Sequence, residues 1–446
     1  MGNTDRDNIL RSWKEIAAYL GYDQRTCYRW EQRFGMPVHR AEGGGSKSHV
    51  VAYKDELDAW FQATFTNSSR PAPPRPAPRL AARRLLLALV PAAAVAVFFI
   101  LRSLMSSPGQ PADFRIRGSS LVVLDESGRE LWRRDTKVEG LIDDEAYRAL
   151  FRSVDSTKTS VRLPSLDIRD IDGDGRNEVL LAIQKKDDAY GEGRLLCYDS
   201  QGKERWHFDA GREMRFGGRT YSPDYRIYGF ALHDFNGDGK QEVVVISYHY
   251  PQWPCQVALL DAQGRLTGEF WNSGFLNDVA IQDIDADGKD ELIVSGVNNE
   301  YGGCLIVFDA ARISGSSPQT GEFRSDTLPP GTEDYYVRFP RSDVSLARGD
   351  PVEGLQHLGI TGNKHITVYS DYGIIYELDF QMRCLGIEFG HGYMRQHDAL
   401  RAQGRVHTSL DDTAYREAFR TGVRYWNGMQ WAAATVPNAR DARAGK

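Results

Sequence analysis

Trp13, Ile16, Ala17 and Leu20 recur at i, i+3, i+4 and i+7, which predicts a helix with one apolar face. Ser12-Trp-Lys-Glu15 forms a capping box at its start. Gly21-Tyr-Asp23 predicts a turn, and Asp23 a cap for a second helix with Cys27, Trp30 and Phe34 inward. That pattern leaves Arg25, Tyr28, Arg29, Gln32 and Arg33 facing outward. Met36-Pro-Val-His-Arg40, a Gly-rich stretch to His49, and Val50-Val-Ala-Tyr53 predict a β-hairpin with a mildly basic tip. A third helix then packs Leu57, Trp60 and Phe61. Residues 71–79 alternate Pro with Ala and Arg, which predicts an extended spacer. Leu85–Leu101 follows as 17 apolar residues without a charge, ~26 Å as a helix, and predicts one membrane span over 84–105. Beyond residue 113 the pattern changes to short apolar strands separated by Gly-rich turns.

In this strand-rich region a nine-residue acidic loop occurs three times, each copy running into an apolar strand. The copies begin at Asp170, Asp234 and Asp283 and end at Glu178, Glu242 and Glu291. Each is followed 26 to 29 residues later by a strand ending in Asp: Asp199, Asp261 and Asp309. Gly turns and Trp strands follow in Asp199…Gly202…Trp206 and Asp261…Gly264…Trp271. Asp125…Gly128…Trp132 repeats the hairpin without an acidic loop, and Tyr376-Glu-Leu-Asp379 is a further, decayed copy. Loop-to-loop periods of 64 and 49 residues fit repeating four-stranded blades.

Charge sharpens the division. The net charge of -6 splits into a basic front, with 15 Lys+Arg against 9 Asp+Glu in residues 1–102, and an acidic remainder. Arg70, Arg75, Arg79, Arg83 and Arg84 precede the apolar run, which favours a cytoplasmic N-terminus. Five cysteines are too few for a disulfide scaffold, although Cys255 and Cys304 are expected to be neighbours. His207, His233, His249 and His391 are scattered, and the chain has no nucleophile elbow or phosphate-binding loop. The residues therefore predict no enzymatic activity.

Oxygen side chains at loop positions 1, 3, 5 and 9, with Gly at 6, suit a hard cation. An EF-hand is excluded, because position 12 is Leu181, Val245 or Val294 and strands rather than helices follow. The loops resemble the FG-GAP (VCBS) repeats of integrin-α-type β-propellers, a likeness covering roughly residues 160–310. That resemblance implies up to three structural Ca²⁺ sites. The first would use Asp170, Asp172, Asp174 and Glu178 with the carbonyl of Arg176. The second would use Asp234, Asn236, Asp238 and Glu242 with Lys240, and the third Asp283, Asp285, Asp287 and Glu291 with Lys289. Ala286 replaces the usual Gly of the third loop. A fourth loop near Gly349–Glu353 has lost its ligands, so no metal is expected there.

Residues 11–65 resemble the MerR/excisionase type of winged helix-turn-helix. By that resemblance Arg25, Thr26, Arg29, Gln32 and Arg33 of the second helix, with His39, Arg40, Lys47 and His49 of the wing, would contact DNA. A single module binds feebly, which implies a homodimer or paired sites. The expected fold class is multidomain. A small α+β winged helix-turn-helix spans 8–66, a Pro/Arg-rich linker 67–83, a transmembrane helix 84–105 and an all-β propeller of about five to seven blades 113–436. Strands near Val423–Trp426 and Met429–Trp431 are expected to complete the Asp125 blade and close the ring.

The layout resembles ToxR-like regulators. It predicts a single-pass protein of the bacterial inner membrane with its N-terminus in the cytoplasm. Its propeller would sense an extracytoplasmic ligand or protein partner, and its N-terminal domain would regulate transcription. The alternative is a cell-surface binding or adhesion propeller whose N-terminal domain is a protein-interaction module.

Overall fold

The computed structural model describes residues 8–40, 50–66, 109–151, 163–186, 193–251 and 253–433. The chain divides into two compact units, residues 1–101 and 102–446.

In the first unit, β1 (Ile9–Leu10) precedes α1 (Trp13–Leu20) and α2 (Gln24–Phe34). After them come β2 (His39–Arg40), β3 (Val50–Tyr53) and α3 (Lys54–Phe61). Ser12 Oγ accepts the Glu15 N–H, and the Glu15 carboxylate reaches back to the N–H of Arg11 rather than to that of Ser12. Gly21 ends α1 at φ 76°, a left-handed turn that suits glycine, and Asp23 caps α2 through the Thr26 N–H at 2.9 Å. Ile16, Ala17, Cys27, Met36, Val50, Ala52 and Leu57 form the core. Phe34 is 44% exposed instead of buried. The indole of Trp60, donating to the Phe34 carbonyl at 2.9 Å, occupies the inner side of that last turn.

The second unit is a series of antiparallel meanders. The first sheet has three strands, β4 (Asp113–Arg117), β5 (Ser120–Leu124) and β6 (Glu130–Asp135), followed by α4 (Asp144–Phe151). The second has β7 (Leu166–Arg169), β8 (Glu178–Ala182), β9 (Arg194–Tyr198) and β10 (Glu204–Asp209). A small hairpin, β11 (Met214–Phe216) with β12 (Arg219–Tyr221), leads to the third sheet. That sheet contains β13 (Tyr225–His233), β14 (Glu242–His249), β15 (Cys255–Leu260) and β16 (Leu266–Asn272). The fourth begins with β17 (Leu276–Gln282), β18 (Glu291–Asn298), β19 (Gly302–Asp309) and β20 (Tyr335–Arg338). After α5 (Asp343–Arg348) comes the fifth, β21 (Leu355–Ile360), β22 (Ile366–Ser370), β23 (Ile374–Leu378) and β24 (Cys384–Phe389). Helices α6 (His391–Ala402) and α7 (Thr413–Gly422) precede the last strands, β25 (Arg424–Trp426) and β26 (Trp431–Ala432).

The second strands explain the continuous apolar runs. All of β8 is buried, whereas β10 at the sheet edge alternates between exposed and half-buried positions. In the first, second, third and fifth sheets the turn before the last strand opens with an Asp whose Oδ1 accepts two backbone N–H groups two and four residues on, whereas Asp309 of the fourth caps a 3₁₀ turn through the Ala311 N–H. Asp199 takes Gln201 at 2.9 Å and Lys203 at 2.8 Å, and Asp125, Asp261 and Asp379 repeat the arrangement. The Trp of one sheet lies on this turn in the next: Trp132 Nε1 donates to the Ser200 carbonyl and Trp206 Nε1 to that of Ala262, both at 3.1 Å. A Cβ on Gly202 or Gly264 would come within 2.5 Å of those indoles. Trp271 does not belong to this series. The equivalent position is Gly268, and Trp271 is fully buried with the Arg212 guanidinium 5.1 Å from its ring.

The Asp125 turn has a consequence in acid. The Ser127 hydroxyl, then the Arg129 and Ser127 N–H groups, hold the Asp125 carboxyl down from 3.8 to about 2. A depressed carboxyl stabilises the fold above its unfolded value and loses that contribution as pH falls through its folded one. Unfolding midpoints are therefore expected to drop between about pH 4 and pH 2, with a shallower fall in Asp125→Asn. Equal slopes in the two proteins would remove Asp125 as a source of this acid sensitivity.

Three expectations about fold class are corrected. The second unit is not a closed propeller of five to seven blades. β25 and β26 do not reach the Asp125 sheet; they extend the fourth sheet to six strands, with Val337 opposite Tyr425 and Tyr425 opposite Ala432. The physical reason is the helical segment before them. Val423 and Tyr425 share a core with Phe339, Val344, Phe389 and Phe419, which anchors the chain end beside β20. The Asp125 hairpin takes its upstream partner locally, from β4, with Phe114 opposite Val123. Third, no helix among the described residues is long and apolar enough to cross a membrane. The expected span over 84–105 and the linker over 67–83 lie outside the described residues.

All five cysteines are buried and unbridged, and Cys255 and Cys304 line the same core without a disulfide.

Candidate metal sites

Each acidic loop joins the first strand of a sheet to the second: β7 to β8, β13 to β14 and β17 to β18. The oxygen pattern has a backbone cause. Positions 4 and 6 turn through positive φ, at Gly173 and Gly175, Gly237 and Gly239, and Ala286 and Gly288. That coil aims N–H groups inward, and the side-chain oxygens receive them. Asp170 accepts from Gly173 and Gly175, and Asp234 from Gly237 and Gly239, all at 2.8 Å. The position-9 glutamates, which open β8, β14 and β18, are buried and accept the position-2 N–H: Ile171 to Glu178 at 3.1 Å, Phe235 to Glu242 at 2.8 Å and Ile284 to Glu291 at 3.0 Å.

The three sites then differ. Asp170, Asp172 and Glu178 offer oxygens that all lie within 4.8 Å of one another, as do those of Asp283, Asp285 and Glu291. Both groups could hold a metal ion. In the second loop the Asn236 amide donates to Glu242 Oε1 at 2.7 Å, beside Asp234. The position-5 residues Asp174, Asp238 and Asp287 are exposed and accept the N–H groups of Arg176, Lys240 and Lys289. Burial pushes the Glu178 and Glu242 carboxyls upward, and neighbouring carboxylates add to this: Asp172 for the first, Asp238 and Asp234 for the second. Near the Gly349–Glu353 remnant, α5 replaces a loop, and Glu353 is buried against the Ser342 N–H at 2.7 Å.

The loops form a row. Gln241 N–H of the second donates to the Ile171 carbonyl of the first at 2.8 Å, and His233 beside the second meets Asp290 of the third at 2.8 Å. Sequence reasoning missed one partner, Arg205 on β10. It reaches Asp172 Oδ2 at 2.6 Å and Glu178 Oε1 at 3.0 Å. Its only sequence signal is a base six residues after Asp199, where the other turns carry Leu131, Thr267 and Leu385.

Ala286 stands at φ 61°, where the other loops have glycine. The Asp283 Oδ1 has no hydrogen-bond partner, unlike Asp170 and Asp234, which take the position-4 N–H. Ala286→Gly is expected to stabilise the metal-free protein by about 0.5–1 kcal/mol, read from thermal unfolding in chelator. A neutral or destabilising result would show that the strain is absent.

In the first unit Arg25, Arg29, Gln32 and Arg33 are carried together on α2, with Arg25, Arg29 and Arg33 at a four-residue spacing. Thr26 is committed to the cap, its hydroxyl donating to Asp23 at 2.8 Å. His39 pairs with Glu56 at 2.7 Å, and Arg40 bridges both Glu31 oxygens, so these two expected wing contacts are engaged within the unit. Lys47 and His49 lie outside the described residues.

The family description of the FG-GAP-like repeat matches residues 170–245, from the first acid of the first loop to the strand after the second loop. An FG-GAP-like repeat is present there. No curated protein matches the chain. Among solved structures, an exotype rhamnogalacturonan lyase is similar at 13% identity and a TM-score of 0.28, over 61% of this chain and 48% of that one. The Bacillus licheniformis rhamnogalacturonan lyase gives the same identity and score over 61% and 50%. The V. cholerae biofilm matrix protein Bap1 is 17% identical at a TM-score of 0.21, over 46% and 34%. This chain thus covers half or less of each of these proteins, and likenesses this weak carry no argument about activity.

Two further expectations are corrected here. The expected absence of enzymatic activity is not upheld: the similar structures above include two enzymes, and no activity of this chain follows from them in either direction. A single-pass inner-membrane location is not supported either: no helix among the described residues is long and apolar enough to cross a membrane, and residues 84–105 lie outside them.

Proposed function

We propose that the second unit is a calcium-stabilised binding module of the cell-surface or adhesion kind, built on the FG-GAP-like repeat. The observation that carries this reading is the threefold recurrence of one oxygen-lined loop at the same strand junction, with carboxylates converging within 4.8 Å in two copies. Such an all-oxygen set favours Ca²⁺, which tolerates irregular coordination, over Mg²⁺, which demands near-octahedral geometry. The bound ion would supply positive charge. The residues themselves do the shaping: the glutamates tie each loop to its second strand, and the aspartates fix the coil. The test is retention of the full chain on bacterial envelope or matrix preparations. Retention should fall on chelation and return with Ca²⁺ but not Mg²⁺; retention indifferent to calcium would defeat the reading.

The row Arg25, Arg29, Gln32 and Arg33 on α2 favours a second reading for the first unit, contact with DNA through that helix. The competing role is a protein-interaction surface. Full-length protein should bind duplex DNA with a steep salt dependence, and Arg25→Ala with Arg29→Ala should weaken binding by roughly tenfold or more. Binding unchanged in the double variant assigns the face to protein contacts.

A further inference from the structure

The three loops share a backbone but not a surrounding. At the first, a cation from outside the loop is already in place. Arg205 Nη1 lies 2.6 Å from Asp172 Oδ2 and 3.0 Å from Glu178 Oε1, and both acids belong to the group that converges with Asp170. The equivalent position on the third sheet is Thr267, whose hydroxyl donates to the Leu259 carbonyl at 3.0 Å. There the position-9 glutamate takes a neutral amide, from Asn236. A guanidinium and a divalent ion cannot share the same two carboxylates, because each needs the oxygen lone pairs and both are positive.

We propose that Arg205 is an internal competitor for calcium at the first loop, so that this loop is closed by the protein's own cation and takes a metal only when Arg205 withdraws. Arg205 has somewhere to go. Its side chain is 28% exposed and borders an open cleft of ≈530 Å³ lined also by Asp199, Gln201 and Glu204. Two of those residues carry carboxylates that can receive a displaced guanidinium. The first loop is then the low-affinity member of the row, filled only at calcium levels that saturate the others. Since Gln241 N–H of the second loop donates to the Ile171 carbonyl, the release of Arg205 is transmitted toward the second loop. This inference rests on the calcium reading above.

The test counts calcium bound per full-length chain by equilibrium dialysis at a concentration that fills the third loop. Asp170→Asn in the otherwise native chain should leave the count unchanged, because its loop holds Arg205 instead of metal. Arg205→Thr, which installs the residue of the third sheet, should add one ion, with first-loop affinity raised roughly 10–100-fold. Combining Arg205→Thr with Asp170→Asn should remove that ion again. A count that falls by one in Asp170→Asn alone overturns the inference while leaving the calcium reading intact. A folded Arg205→Thr chain with no added ion overturns it as well. If Arg205→Thr does not fold, the Asp170→Asn count decides by itself. If native and Arg205→Thr chains both bind no calcium, and Asp283→Asn alters nothing, the inference and the calcium reading fall together.

Discussion

Chelating divalent cations is expected to lower the unfolding midpoint of the second unit by roughly 5–10 °C, and calcium to restore it. Ions that bind only the folded chain stabilise it by RT ln(1 + [L]/Kd). With Kd of about 10⁻⁴ M, in the range of extracellular modules, and ~2 mM calcium, each occupied loop adds about 1.8 kcal/mol. Two loops add roughly 3–4 kcal/mol, and a domain of this size shifts by about 2 °C per kcal/mol. The molecular source is the position-9 glutamate. Glu242 and Glu291 are buried, and burial disfavours a carboxylate that has no cation beside it, whereas Glu178 already has Arg205. Differential scanning calorimetry with and without chelator checks this. Coincident transitions would mean that the loops are self-sufficient turns held by their own N–H groups.

Asp343→Ala is expected to destabilise the second unit by about 3 kcal/mol, although Asp343 lies outside the three loops. Asp343 opens α5 and accepts hydroxyl hydrogens from Tyr393 at 2.9 Å, from Tyr415 and from Thr408. Tyr393 and Tyr415 also meet each other at 2.6 Å, and the fully buried His397 contacts Thr408 at 3.0 Å. One carboxylate therefore ties α5, α6 and α7 together. Its loss leaves buried donors without an acceptor, each costing about 1–3 kcal/mol before relaxation. Burial pushes the Asp343 carboxyl up, but the Thr408, Tyr415 and Tyr393 hydroxyls outweigh it and the net shift is downward. Such a group stabilises above the ordinary Asp value of 3.8 and loses its contribution as pH falls through its lower folded value. Urea unfolding at neutral pH measures the loss. A change below ~1 kcal/mol would show that solvent replaces the carboxylate without penalty.

The helical segment bearing this network also limits what the sequence discloses. The acidic loops are legible because their chemistry is local: nine residues carry the glycines, the donors and the acceptors. The Asp turns are legible for the same reason, and the decayed copy at Asp379 keeps its two N–H donors. Ring closure is not local. Whether Tyr425 pairs with the Asp125 sheet or with Val337 depends on how α6 and α7 pack against Phe389 and Phe339. No pattern within β25 records that choice, because a short strand with one buried residue fits either edge. Trp271 misleads in a related way, since a Trp near a Gly turn satisfies the motif although its true register holds Gly268. Arg205 is hidden for a third reason. A base on an edge strand reads as solvated surface until the fold brings it to a loop on the far side of the same sheet. In the first unit the helix caps are written in Ser12 and Asp23, whereas the engagement of His39 and Arg40 by Glu56 and Glu31 depends on tertiary approach.

Calcium binding at the acidic loops is tested most directly by equilibrium dialysis of the full-length chain, with Glu242→Gln and Glu291→Gln measured beside it. The structure predicts saturable binding at submillimolar to millimolar calcium, with one ion lost in each variant. No saturable binding, or an ion count that neither substitution changes, would contradict it.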